Sequence, residues 1–201
     1  MPGAMAATVG YDAKTALVVV DVQTDVADPK GSLYVKGGEE VIPAINDEIE
    51  RALSAHALVV YTQDWHPEST PHFRKDGGIW PVHCVQETWG AELHRDLRVA
   101  GGVVRKGADG ADGYSGFSVR DPRSGDVSAT ELGAMLRAAG IERVVVCGLA
   151  TDYCVVETAL DARRLGFATT VLSEAIRAVD LQPGDGERAI RRMREAGVQV
   201  T

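Results

Sequence analysis

Cysteine is scarce in this chain, and so are positive charge and long apolar runs. The three cysteines, Cys84, Cys147 and Cys154, are too few and too irregularly spaced for a disulfide framework or a zinc-finger pattern, so a reducing, cytoplasmic setting is the default. Lys and Arg number 21 against 29 Asp and Glu, a formal net charge of −8. A nucleic-acid or anionic-membrane face needs a cationic excess, and neither partner is expected here. No run approaches the ~18 apolar residues of a membrane span. The N-terminal MPGAMAATVGYDAKT lacks both the basic start and the apolar core of a secretory signal. Residues 1–15 read as a flexible leader and 16–201 as a single domain, because 201 residues with 45% hydrophobic and 25% charged content suit one globular core. The acidic balance favours a small uncharged or cationic substrate.

What is present alternates between two periodicities. Continuous apolar runs at 16–21, 57–64, 102–107, 143–148, 168–173 and 198–201 read as buried strands. Helical patterns fill the gaps at 39–55, 128–139, 154–165 and 187–196, the second opening on SATE, a capping box, and closing on Gly140. The expected fold is α/β: a three-layer sandwich with a central, mainly parallel six-stranded sheet flanked by helices.

In such sheets functional groups collect at the carboxyl ends of strands. Asp21, Asp64, Lys106 and the GLATDYC turn all fall there. Taken singly, each fits a commonplace role: a turn-forming Asp, a surface Lys, a small buried Cys. Their convergence is what carries chemistry. With Thr151 or Asp152 as N-cap, Cys154 falls in the first turn of a helix, where unpaired N–H groups favour the thiolate. Asp21 is then placed to accept the thiol proton, Lys106 to stabilise the anions, and Cys154 to attack a carbonyl carbon. Cys84 and Cys147 read as buried structural thiols.

A second constellation lies in QDWHPESTPHF and WPVHCV. Asp64 and His66, two apart at a strand end, could converge on one metal with His83 from the next loop; two imidazoles and a carboxylate suit Zn, Fe or Mn. His72 is either a fourth ligand or an outer partner. The run KGADGADGYSGF lacks the acid ladder of a calcium loop and reads as a flexible, glycine-rich pocket wall.

Together VVVDVQ, GSLYVKGG, QDWHP, WPVHC, RKG with YSGF, and CGLATDYCV resemble the nicotinamidase/pyrazinamidase branch of the isochorismatase-like cysteine hydrolases. The motifs run in order over essentially the whole chain beyond the leader. The resemblance implies Asp21, Lys106 and Cys154 as catalytic triad. It implies Asp64, His66 and His83 as ligands of one divalent metal, zinc before iron or manganese. It also implies a cis peptide between Leu149 and Ala150, with the N–H groups of Ala150 and Cys154 as oxyanion hole. Val26, Trp80, Tyr114 and Leu149 then fall in the substrate pocket. The implied reaction is hydrolysis of nicotinamide, a small-molecule amide, through a cysteine thioester in NAD salvage, with the metal holding the ring nitrogen.

Two departures bear on the substrate. Where the family usually reads Asp-Val-Gln-Asn-Asp-Phe, this chain has DVQTDV, so Thr24 replaces an Asn and Val26 a phenylalanine that packs on the ring. A wider pocket keeps open a second reading, a metal-containing amidase acting on another small amide. A third, a non-catalytic relative, stands against the intact Asp21, Lys106 and Cys154. The exposed helix faces are too mixed to define an interface, so a homo-oligomer is neither required nor excluded.

Overall fold

In the computed structural model, which describes residues 9–201, the apolar runs become a single sheet. Its strands are β1 (Thr15–Val20), β2 (Leu58–Asp64), β3 (Gly102–Lys106), β6 (Arg143–Leu149), β7 (Ala168–Arg177) and β8 (Gln199–Val200), in the order β3-β2-β1-β6-β7-β8. Every pairing is parallel. The order reverses at β1, which carries β2 on one side and β6 on the other. A crevice opens at such a switch point beyond the carboxyl ends of the strands.

Burial on both faces explains why these strands are continuously apolar. Ala16, Val18 and Val20 of β1 face one core, shared with Leu132, Leu136, Val156, Ala159 and Met193. Leu17 and Val19 face the other, shared with Ile42, Ile45, Ile49 and Ala52. The covering helices are α2 (Ile42–Ser54) on the second face, and α3 (Leu132–Ala138), α4 (Val156–Arg164) and α5 (Asp185–Glu195) on the first, with a short α1 (Thr24–Ala27) after β1. Each fully buried aliphatic side chain contributes about 1.5–3 kcal/mol relative to exposure.

Two expectations are corrected. The capping box at 128–131 does not form: Val127–Ala129 is a strand, β5, paired antiparallel with β4 (Ser118–Arg120). The Thr130 hydroxyl donates to the Gly116 carbonyl at 2.6 Å, and α3 starts only at Leu132. Strand β7 also runs past residue 173 to Arg177, through a register shift against β6 between Val146 and Gly148. Of the expected leader, residues 1–8 lie outside the described residues. Residues 9–14 are tied down, with the Tyr11 hydroxyl donating to Glu48 of α2 at 2.7 Å and the Arg51 guanidinium to the Val9 carbonyl at 2.6 Å. Among the described residues no helix is long and apolar enough to cross a membrane.

Candidate active site

Strand ends set the positions of three of the groups. After β1 the chain bends at Asp21, a non-glycine residue in the left-handed region with φ 47°. Thr62 on β2 holds that bend, its hydroxyl donating to Asp21 Oδ1 at 2.7 Å. Gln23 reaches back to the end of β2: its Oε1 accepts the Asp64 N–H at 2.9 Å and its Nε2 donates to the carbonyls of Asp64 (2.7 Å) and Ala91 (2.9 Å). Asp64 and Lys106 are register partners at the ends of β2 and β3.

The Lys106 ammonium, 1% exposed, is the centre of the cluster. It lies 2.9 Å from Asp21 Oδ2, 2.5 Å from Asp64 Oδ1 and 3.6 Å from Cys154 Sγ, and donates to the Gly113 carbonyl at 3.2 Å. The carboxylates and the sulfur lie within 4.8 Å of one another, with a cation already among them. Desolvation would depress Lys106, but the two carboxylates outweigh it and hold the amine charged. Burial would likewise raise Asp64, yet Lys106 with His66 and His83 holds its carboxyl well below the usual range. Asp21 goes the other way. Burial raises it beyond what Lys106 recovers, and Asp64 adds repulsion. Burial, followed by the charge of Asp21, also raises the Cys154 thiol. The resting pair is therefore a thiol beside a carboxylate made more basic, rather than the free thiolate that a helix terminus alone would favour.

Cys154 stands in a π-helical turn, Thr151–Val155, continuing into α4. Such turns recur at functional sites. Neither Thr151 nor Asp152 caps it; the N-cap position is Ala150, in extended backbone with no side-chain cap. Gly148, with φ 115°, is required just before this turn, because a Cβ there would come within 2.2 Å of the Val20 carbonyl oxygen. The Leu149–Ala150 peptide is cis. The N–H groups of Tyr153 and Val155 are both taken by the Ala150 carbonyl, at 3.1 and 3.0 Å; neither belongs to the oxyanion pair, Ala150 and Cys154, that the resemblance implies.

The imidazoles gather beside Asp64. Ligand atoms of His66, His72 and His83 lie within 4.8 Å of one another. Asp64 Oδ2 is 3.7 Å from His66 Nε2 and 3.9 Å from His83 Nε2. The His83 Nδ1 lies 2.7 Å from the Pro81 carbonyl, a contact that places the proton on Nδ1 and turns the Nε2 lone pair outward, and His72 Nδ1 lies 3.1 Å from Asp112 Oδ1. Burial drives His83 down to about 4 despite the pull of Asp64, which keeps the ring neutral as a ligand must be. Neither nitrogen of buried His66 has a hydrogen-bond partner among the described residues. Buried, unpartnered imidazole nitrogens with an adjacent carboxylate fit a divalent metal held by three nitrogens and one oxygen. The cluster thus includes His72, which the sequence left between two roles. Gly107 is the second required glycine: with φ 83°, it approaches His66 so closely that a Cβ would lie 2.9 Å from Nδ1.

Between these groups lies a pocket lined by Asp21, Cys154, Asp64, His72 and His83. Val26, Trp80, Tyr114 and Leu149, the four residues expected there, all line it. Thr24 does not; its hydroxyl turns to the Glu92 carbonyl at 3.2 Å. Residues not singled out from the sequence complete the walls. Tyr153 meets Trp80 edge-on at 4.8 Å, and the Trp80 indole donates to the Tyr114 hydroxyl at 3.0 Å, making one aromatic unit. Leu33, Val35 and Val179 join Val26 as the aliphatic lining. The motif TDYC and the run LYV held some of these residues; only the fold shows that they meet.

Comparison with known proteins agrees with this geometry. The model of the isochorismatase domain family matches residues 15–201. The chain is similar to the nicotinamidase/pyrazinamidase of Mycobacterium tuberculosis, with 40% identity over 195 residues, covering 92% of this chain and 97% of that one. Among solved structures it resembles the pyrazinamidase of Pyrococcus horikoshii in complex with zinc (TM-score 0.84, 40% identity, 94% of this chain and 98% of that one). It also resembles PnC1 from L. infantum in complex with nicotinate (TM-score 0.85, 38% identity, 96% and 95%).

Proposed function

This chain belongs to the isochorismatase family, and on that premise we propose that it is a nicotinamidase, a cysteine amidohydrolase converting nicotinamide, and pyrazinamide, to the acid and ammonia. In this reading residues 16–201 act as one domain of a cytoplasmic protein serving NAD salvage. The observation that carries it is the buried Lys106 ammonium, in contact with Asp21, Asp64 and Cys154 at once.

The steps follow from these residues. Cys154 Sγ attacks the carboxamide carbon while its proton passes to Asp21, and the oxyanion is met by the N–H groups of Ala150 and Cys154. Asp21 returns the proton to the amine, the C–N bond breaks, and ammonia leaves an acyl thioester. Asp21 then takes a proton from water as its oxygen attacks the thioester, and gives it back to sulfur as the C–S bond breaks and the acid departs. Lys106 keeps the two carboxylates compatible with the sulfur throughout. When bound, one divalent ion held by Asp64, His66, His72 and His83, zinc before iron or manganese, supplies a Lewis-acid anchor for the ring nitrogen. Trp80, Tyr114 and Tyr153 hold the ring's faces and edge.

Ammonia release from nicotinamide by the purified protein tests this. Turnover that is lost on chelation and returns with zinc, iron or manganese is the expected result. No release with metal bound would favour another ring amide, the reading that Val26 on the pocket wall supports. Asp112→Ala is a second test: freed of its partner, His72 should bind metal less well, weakening retention against a chelator about 10–100-fold. Unchanged retention would remove Asp112 from the site.

A further inference from the structure

Asp152 stands where a helix cap is expected and serves elsewhere. Its Oδ1 accepts the Val179 N–H at 2.9 Å, and its Oδ2 accepts the Asp180 N–H at 2.8 Å. Both donors belong to the segment joining β7 to α5, in which residues 178–184 form neither strand nor helix. Asp180 is in the left-handed region with φ 52°. Its own carboxylate accepts the Gly186 N–H at 2.8 Å, at the start of α5. A carboxylate gripping two consecutive backbone N–H groups is a charge-assisted, two-point tether. It joins the turn that carries Cys154 to a segment 27 residues further along the chain.

What the tether holds is a wall of the pocket. Val179 is half-buried, packs against the core on the α2 face, and lines the pocket with Val26, Trp80 and Tyr153. Apart from that packing, this loop has no ladder to keep the side chain in place.

We propose that Asp152 is a positioning residue that sets the aliphatic wall: by fixing Val179 it determines how tightly the substrate's ring is held, while touching neither substrate nor reacting atoms. The proposal rests on the amidase reading above and deepens it. Because Asp152 and Cys154 share one turn, the grip on the ring and the nucleophile are positioned from a single rigid element. A wall that contacts the unreactive ring stabilises ground state and transition state alike, so its loss raises KM and spares kcat.

The test uses Asp152→Ala, the isosteric Asp152→Asn, Val179→Gly and the double variant Asp152→Ala with Val179→Gly, each loaded with metal. Asp152→Ala is expected to raise KM for nicotinamide about 10-fold with kcat held within about 2-fold. Alkylation of Cys154 by iodoacetamide, read without substrate, should keep its wild-type rate. Asp152→Asn, which retains one acceptor oxygen, should fall between. Val179→Gly should reproduce the KM effect, and the double variant should be no worse than either alone. Additive effects would overturn the proposal, as would a fall in kcat and alkylation rate at unchanged KM, which would assign Asp152 to the nucleophile's turn instead. Hydrogen exchange at the Val179 and Asp180 amides reads the tether whatever the substrate, and should quicken about 10-fold or more in Asp152→Ala. Wild-type protein inactive on nicotinamide would overturn the proposed function alone. Unchanged exchange in Asp152→Ala would overturn the tether even in an active enzyme.

Discussion

Replacing Cys154 with alanine is expected to abolish ammonia release, a loss on the order of 10⁶-fold as for nucleophile removal in other covalent hydrolases, while the metal content per chain stays unchanged. The two halves of that expectation come from different parts of the site. Sulfur is the sole nucleophile among the groups at Lys106: the lysine is held charged between carboxylates, and Asp64 is committed to Lys106 and the imidazoles. Raised by burial, Asp21 is a base in search of a proton, and the thiol, raised likewise, is its source. Without sulfur the remaining groups can orient a substrate and no more. The imidazole cluster, by contrast, is built from His66, His72 and His83 and does not include the cysteine. Steady-state ammonia assays with metal analysis of the same preparation check both. Surviving turnover would mean direct attack by water and would rule out the thioester.

Lys106→Met should lower stability by about 3–5 kcal/mol, the cost of removing one partner from a buried ion-pair network, and should leave no measurable activity. Methionine fills similar space, so the loss is electrostatic rather than steric. Asp21 and Asp64 would face each other across an apolar thioether with no cation between them. The pH dependence tells this apart from a packing defect. Asp21, already raised by burial and without the lysine to lower it, would titrate higher in the folded chain than in the unfolded one, so the folded state binds the extra proton and is stabilised as pH falls toward that range. Urea melts should therefore show the deficit shrinking on acidification. A deficit independent of pH would mean that the lysine's stem, and not its charge, matters to the fold.

The parts of the fold legible in the sequence were those with a strong local reason. β1, β2 and β6 are buried on both faces, and a short, continuous, β-branched apolar run is what such burial demands. The β4–β5 ribbon went unread because Val127–Ala129 is exposed and carries no alternation to mark it. The false capping box has a similar cause: Ser128, its N-cap, lies within β5 opposite Val119, and it is the Thr130 hydroxyl, two residues on, that accepts the Leu132 N–H at 3.3 Å. In the site, residues at strand ends could be found because topology sends strand ends to one edge. Leu33, Val35 and Val179 could not, since each is an ordinary aliphatic residue in an irregular segment and becomes a wall only where segments 144 to 146 residues apart line one pocket. His72 was visible as a histidine and ambiguous as a ligand. Asp112, 40 residues on, lies beside its Nδ1, and no spacing rule links the two.

Gln23 gives the site a property of a different kind. Beyond Val20 the backbone leaves the ladder to make the bend at Asp21, and β2 continues with nothing on that side to pair with. The carboxamide of Gln23 fills the gap as a surrogate peptide unit, an acceptor for the Asp64 N–H and a donor to the Asp64 carbonyl. The sheet thereby gains a rung made from a side chain, and the bend is accommodated without a break in the lattice. Glutamate offers the acceptor without the donor, and asparagine offers both one methylene too short. The alphabet of side chains narrows at position 23 to a single letter, for a residue that meets neither substrate nor metal.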